Sequence, residues 1–384
     1  MKKVLIISPI ADYGGREVEV NLVAKALERF YEVSIFSTGS ATNQSIALNG
    51  LPEVSFKKIT EEVIKQNIIL RLMAFFSSVR NGRSKALHLY LRNSFSNKFF
   101  NIRKSEIKVL EKSISKADLV WLLADFDSPL LIEAIEICKA RKIPCVFRTT
   151  RTIFELPQTF LDQLKDVTLF VHHSENNAQN LSDQMAHDYV IVDQCALTEA
   201  SLLELKIQPK SNLIYGFLGR FSDGKQIMDL IDFFKDRPEK FYIAGDGDLK
   251  SNILNIVNSH GNLEYLGYFN YESISSFFDK IDVLLISSKE ESGPFVGVEA
   301  MAAGKFIVST KVGAMEERLD YLNKKFWLKN DLSNLNCLIS EIGHLSTKEV
   351  TEIMEKNRMH YKNKYTVENI KSGYANIARR ILDS

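Results

Sequence analysis

A repeated order of elements constrains this chain more than any single residue does. Lys3–Ile7 is a short apolar run closed by Ser8-Pro9, and Asp12-Tyr13-Gly14-Gly15 is a loop. From Glu17 to Phe30, Val20, Leu22, Val23, Ala26 and Leu27 recur at helical spacing, and Tyr31 to Ser37 predicts a second strand. Strand, loop, helix and strand in that order call for a parallel sheet, because parallel neighbours need a crossover between them. The alternation continues through predicted strands over 119–123, 144–148, 167–171 and 189–192, with a helix over 129–140. It restarts after the polar stretch 206–212. Strands are predicted over 213–218, 241–244, 263–266, 283–286 and 306–308. Helices are predicted over 226–235, 249–257 and 273–280, and a further one begins at Val298–Ala303.

The expectation is an α/β chain of two Rossmann-like, doubly wound domains facing a cleft, with ligands outside the carboxyl ends of the strands. The N-terminal domain would span residues 1–208 and the C-terminal domain 209–364. A terminal helix over 365–384, with Ile370, Tyr374, Ile377 and Ile381 on one face, would pack back on the first domain. A length of 384 residues suits two domains. With 45% apolar and 25% charged residues, intrinsic disorder is excluded for most of the chain.

Cys138, Cys145, Cys195 and Cys337 are too far apart for a C-x-x-C metal or redox pair. They read as reduced core thiols of a cytosolic protein. The start, Met1-Lys2-Lys3-Val4-Leu5-Ile6-Ile7, imitates a signal peptide. Its apolar run is short and Asp12 interrupts it, so a buried first strand is expected. No run of eighteen apolar residues predicts a membrane-spanning helix.

Residues 65–105 hold nine basic side chains and no Asp or Glu, a local +9 in a chain of net charge +1. Ile68, Ile69, Leu70, Leu72, Met73, Phe75 and Phe76 predict a helix there, and Tyr90, Phe95, Phe99 and Phe100 follow. Three readings stay open: a solvated basic face, a peripheral contact with an anionic membrane, and nucleic-acid binding. No recognised nucleic-acid module surrounds the segment, so nucleic acid is not the expected partner.

Two loops carry the chemistry. Gly219-Arg220-Phe221-Ser222-Asp223-Gly224-Lys225-Gln226 nearly matches a phosphate-binding P-loop, but Gln226 stands where the metal-binding hydroxyl belongs. Asp282 begins its strand, whereas a P-loop NTPase needs such an Asp at a strand end. Arg220 and Lys225, two cations beside a predicted helix N-terminus, describe a diphosphate site. In the second loop Glu291 and Glu299 flank the turn Ser292-Gly293-Pro294-Phe295. Carboxylates suit sugar hydroxyls because they accept several hydrogen bonds, and Gly293 and Gly297 allow close backbone approach. Alternatively, Glu299 only favours the dipole at the start of its own helix.

Together these pieces resemble family 4 glycosyltransferases of the GT-B fold. The carriers are Gly14-Gly15, Gly219-Arg220 with Lys225, Ala244-Gly245-Asp246-Gly247 and Leu266-Gly267-Tyr268. With them stand Glu291-x7-Glu299, Ala300-Met301-Ala302-Ala303-Gly304 and Val312-Gly313. The resemblance implies a transferase moving a sugar from a UDP- or GDP-linked donor to a glycan or lipid-linked acceptor, with retention and without a metal. In it Arg220 and Lys225 hold the diphosphate, which Gly14 and Gly15 approach from the other domain. Glu299 takes the ribose, Glu291 and Ser292 to Phe295 the donor sugar, and Gly267 and Tyr268 lie near the base. The family often carries Phe-Gly after the first Glu, where Gly293-Pro294-Phe295 stands here. It often has a His after the strand that here ends Thr149-Thr150-Arg151. His172 and His173 read as structural. Asp125-Phe126-Asp127 and Asp246-Gly247-Asp248 imitate a D-x-D metal motif of another fold. A nucleotide-sugar epimerase, a P-loop-like NTPase and a non-catalytic basic adaptor are the alternatives. The implied setting is cell-surface polysaccharide synthesis, in the cytoplasm or at the inner membrane face.

Overall fold

The computed structural model describes residues 1–82 and 101–383, and in it the two series of elements form two parallel sheets. The first comprises β1 (Lys3–Ser8), β2 (Glu32–Ser37), β3 (Ser55–Lys58), β4 (Leu119–Ala124), β5 (Cys145–Thr149), β6 (Leu169–His172) and β7 (Tyr189–Ile191). Their order is β3-β2-β1-β4-β5-β6-β7. The second comprises β8 (Tyr215–Arg220), β9 (Phe241–Asp246), β10 (Leu263–Gly267), β11 (Val283–Ile286), β12 (Phe306–Thr310) and β13 (Trp327–Leu328), in the order β10-β9-β8-β11-β12-β13. Central strands such as β1, β4 and β11 are nearly continuous apolar runs, because helices cover both faces of a parallel sheet.

Strand order reverses beside the first strand of each sheet: β1 pairs with both β2 and β4, and β8 with both β9 and β11. Such a switch point opens a crevice, since the loops leave on opposite faces. The loops after β1, β8 and β11 are the ones that carry Gly14-Gly15, Arg220 to Lys225, and Glu290 to Pro294.

The helix Val367–Leu382 packs on the first sheet. Tyr374 is buried edge-on against Trp121 at 5.8 Å, beside helix Gly15–Leu27. The preceding helix Thr347–Lys364 lies against helix Phe295–Ala302 of the second sheet, so the chain crosses back between them. Ser346 and Glu349 close a capping box at its start, which fixes where it begins.

Some expectations are corrected. Cys138, Cys145 and Cys195 are buried, but Cys337 is exposed, because helix Leu335–Gly343 buries Leu335, Leu338, Ile339 and Ile342 and turns Cys337 outward. The helix after β11 is Phe295–Ala302, starting three residues earlier than Val298. Pro294 sets that start, since it has no N–H to give and a φ near the helical value. Strand β3 and helices Ile59–Gln66 and Ile102–Ile114 lie outside the predicted elements, although the helices bury Ile59, Val63 and Ile64, and Ile102, Val109, Leu110 and Ile114, at helical spacing. Of the basic segment, Arg83, Lys85, Arg92 and Lys98 with Tyr90, Phe95, Phe99 and Phe100 lie outside the described residues.

Candidate active site

After β1 the chain turns through residues 9–14 into helix Gly15–Leu27. Gly14 has φ +148°, and a Cβ there would stand 2.5 Å from the Glu17 carboxylate. Glu17 reaches back and accepts the Ala11 N–H at 2.6 Å, which holds the loop against the start of the helix. A Cβ on Gly15 would come 2.9 Å from the Phe295 ring. Gly15 thus marks where the first sheet's loop meets the second sheet's helix.

The loops after β8 and β11 are stitched together. Lys225 forms an ion pair with Glu291, and Ser288 Oγ donates to the same Glu291 oxygen at 3.1 Å. Ser287 Oγ donates to the Lys225 carbonyl at 2.6 Å, and the Lys289 N–H donates to the Gly224 carbonyl at 2.9 Å. Arg220 is the last residue of β8 and is exposed. No carboxylate pairs with it among the described residues. Burial, and then the nearby Arg220, push the Lys225 ammonium down to about 8. The two cations do not cap a regular helix directly. Asp223–Lys225 is a single 3-10 turn, and Gln226, left-handed at φ +52°, precedes helix Ile227–Phe234.

Glu299 occupies the fifth position of its helix, past the first turn, so the dipole does not explain it. It is 4% exposed, and burial lifts its carboxyl to about 8. Among the described residues no side chain or backbone group hydrogen-bonds to that carboxyl. Its oxygens are not among the fully enclosed polar atoms without a partner, so water can reach them and arriving hydroxyls would take that water's place. Tyr271 stands beside it. Its phenol is pushed up by burial, and then by Glu299, Tyr268 and Glu17. Tyr268 is exposed at the rim, and Gly267, at φ +91°, has open space where a Cβ would be. Sequence patterns gave no sign of Tyr271 or Glu17.

The turn Ser292-Gly293-Pro294 is fixed from three directions. Ser292 Oγ donates to the Thr150 carbonyl of the first sheet at 3.2 Å, and the Ala314 N–H donates to the Ser292 carbonyl at 3.0 Å. Gly313, at φ +49°, lets that approach happen, since a Cβ would lie 2.2 Å from the Ser292 oxygen. The fully buried Arg318 donates to the Pro294 carbonyl at 2.6 Å, to both Asp193 oxygens at 2.9 and 2.6 Å, and to Gln194 at 3.0 Å. A Cβ on Gly293 would crowd Gln194 and Arg318. Arg318, Asp193 and Gln194 are positioning residues that sequence reasoning missed, because the contacts join segments more than a hundred residues apart. Gly219, by contrast, has only an ordinary neighbour in Phe217. The close approach at this strand end belongs to Gly245, where a Cβ would lie 1.9 Å from the Gly219 carbonyl.

His172 and His173 are buried beneath the first sheet's end, and burial pushes both down, His172 to about 3. His172 meets Thr149 at 2.9 Å and His187 at 3.2 Å, and His173 meets Arg148. Both acidic triplets have other work: Asp125 pairs with Arg16 and accepts from Thr150, and Asp246 pairs with Lys250 at 2.9 Å.

Comparison with known proteins agrees with this geometry. Residues 204–358 match the model of the family "Glycosyl transferases group 1". Two uncharacterized glycosyltransferases of Methanocaldococcus jannaschii are each 29% identical. One aligns over 44% of this chain and 48% of its own length, the other over 29% and 30%. The chain thus spans about half the length of the first curated relative and less of the second. Sucrose-phosphate synthase from Thermosynechococcus elongatus has the same fold at a TM-score of 0.74 and 14% identity, covering 100% of both chains. Anabaena Alr3699/HepE, solved in complex with UDP, gives 0.71 and 15%, covering 99% of this chain and 100% of its own. The described residues share the GT-B fold of these structures.

Proposed function

We propose, from the match of residues 204–358 to the group 1 glycosyl transferase model, that the whole chain is a retaining glycosyltransferase with a nucleotide-sugar donor. One observation carries the reading. The loops at the second sheet's switch point carry Arg220, unpaired among the described residues, a Lys225 held by Glu291, and a buried Glu299 whose carboxyl no described group holds. That set fits a nucleoside diphosphate: cations for the diphosphate and a carboxylate for the ribose hydroxyls. UDP is the first base to test, because the structurally similar Anabaena protein binds it. Gln226 in the left-handed region and Asp282, which accepts the Ile214 N–H at 2.9 Å before β11, speak against an NTPase.

In this mechanism an acceptor hydroxyl oxygen bonds to the anomeric carbon as the bond from that carbon to the diphosphate breaks. The electron pair leaves on the diphosphate oxygen, and the hydroxyl's proton passes to the departing diphosphate. Arg220 and Lys225 meet that growing charge, and fixed charges aimed at a leaving group lower the barrier. Glu291 orients both Lys225 and the sugar. Arg318, through the Pro294 carbonyl, holds the turn that would cradle the sugar. The acceptor, a glycan or lipid-linked glycan of the cell surface, would enter from the first domain, residues 1–208. The donor domain would be 209–364, with no metal required.

A thermal-shift panel with UDP, GDP, ADP, ATP and NAD tests this, run on the wild type and on Lys225→Ala. Ligand at ~100 times its dissociation constant stabilises by about 2.7 kcal/mol. A shift with UDP or GDP that the variant loses, together with slow hydrolysis of the matching nucleotide sugar, is expected. A shift with ATP alone, or with no nucleotide, overturns the reading.

A further inference from the structure

We infer that the outward face of helix Ile68–Arg80 is a docking surface for an anionic lipid bilayer. The helix is a specified element, because Asn67 caps its start by accepting the Ile69 and Leu70 N–H groups at 3.2 and 3.1 Å. One face is spent on the fold: Leu70 and Ala74 are buried, with Met73 partly so, against Val63, Ile64 and Ile102. The opposite face carries Ile68, Ile69, Leu72, Phe76 and Val79, spaced so that they form one stripe along three turns. Ile68 is 72% exposed, Phe76 66% and Leu72 52%. With Phe75, this helix holds six of the thirteen large apolar side chains that are exposed among the described residues, so the patch is not scatter.

The surrounding charge identifies the occupant. Arg71 and Arg80 lie on the same helix with no ion-pair partner among the described residues. No acid occurs in the sequence from residue 65 to residue 105; of its nine cations, Lys65 and Arg103 pair with Glu62 and Glu133, and Arg83, Lys85, Arg92 and Lys98 lie outside the described residues. An apolar stripe beside unopposed arginines matches a bilayer component by component: acyl chains for the stripe, anionic headgroups for the charge. A second copy is a poor fit, since pairing the patch with itself would bring Arg71 and Arg80 of two copies together. Nucleic acid would use the arginines but has no use for Ile68, Leu72 and Val79. No described helix is long and apolar enough to cross a membrane, so this one lies in the interface plane.

The surface stands apart from the nucleotide site, and its test is read separately from it. The full chain is mixed with vesicles of phosphatidylcholine alone or of phosphatidylcholine with phosphatidylglycerol, and sedimented with them at low and high salt. Wild type is expected to partition onto the anionic vesicles at low salt. It should release at about 1 M salt, where the screening length falls to about 3 Å. Leu72→Ser/Phe76→Ser should weaken partitioning about tenfold or more, and Arg71→Ala/Arg80→Ala several-fold. Both variants should keep the wild-type UDP shift, so loss of that shift would indict the nucleotide reading and not the surface. Equal sedimentation of all variants, or no binding by wild type, overturns the inference. So does a dimer, seen by light scattering, that the apolar double variant abolishes.

Discussion

The strand ends of the two sheets treat charge differently. At the end of β5 in the first sheet, the fully buried Arg148 is met by Glu19 at 2.7 Å and by His173, and nearby Arg16 is met by Asp125. At the second sheet, Arg220 pairs with nothing described, Lys225 and Glu291 form a partly exposed pair, and Glu299 is buried without a donor. In the first sheet each of these cations meets a carboxylate of the fold, while Arg148 Nε and Nη1 and Arg16 Nε stay buried with no partner among the described residues. In the second, Arg220 has no such carboxylate among the described residues, which leaves it for the proposed diphosphate. Sheets of like strand order, one of seven strands and one of six, thus differ in how their charges are paired.

The strongest test of that contrast is stability. Arg148→Ala leaves Glu19 buried and unpaired, which costs about 3–5 kcal/mol in urea unfolding. Glu299→Gln removes a carboxyl that nothing holds, so it should stay within about 1 kcal/mol of wild type. Equal losses at both positions would erase the distinction. Next in size, Lys225→Ala should reduce turnover about 10²- to 10³-fold with little change in unfolding. A loss under threefold would remove Lys225 from the leaving-group role.

Arg318→Lys keeps the charge but loses the planar fork that reaches Asp193, Gln194 and Pro294 together. It should raise the donor KM about tenfold, or about 1.4 kcal/mol, with kcat changed less. A fall in kcat at constant KM would instead place Arg318 in the chemical step. The smallest effect concerns protons. Glu299 is raised in the folded protein from 4.5 to about 8. The folded state therefore holds its proton more tightly, and this group's contribution to stability is full below about 4.5 and is lost as pH rises through about 8. Ribose hydroxyls favour the ionised carboxylate, so UDP binding at pH 7 should release up to about one proton. Calorimetry in buffers of different ionisation enthalpy measures that release, and Glu299→Gln should show none.

Much of the second sheet's site was legible. Arg220, Lys225, Glu291 and Glu299 sit in loops that a strand introduces and a helix follows, and the structure brings those loops to one switch point. Local patterns place such residues because each loop is continuous in sequence. The register of Glu299 in its helix was less legible, since Pro294 starts that helix earlier than its apolar pattern suggests. In the first sheet only Gly14-Gly15 was readable. Glu17, Arg148 and Asp125 look like ordinary surface charges until the sheet brings their partners from residues 11, 19 and 16.

The sequence by itself determined the two parallel α/β series, the chemistry of the loops after β8 and β11, and a basic stretch containing an apolar helix. Those are features of period and neighbouring residue type, which a chain carries before it folds. Only the tertiary structure decided that Arg318 and Asp193 tie the turn at Pro294 to the segment joining the sheets, that Tyr271 stands beside Glu299, and that one face of helix Ile68–Arg80 points outward. Burial and pairing depend on which distant segments meet, and no local pattern encodes that meeting.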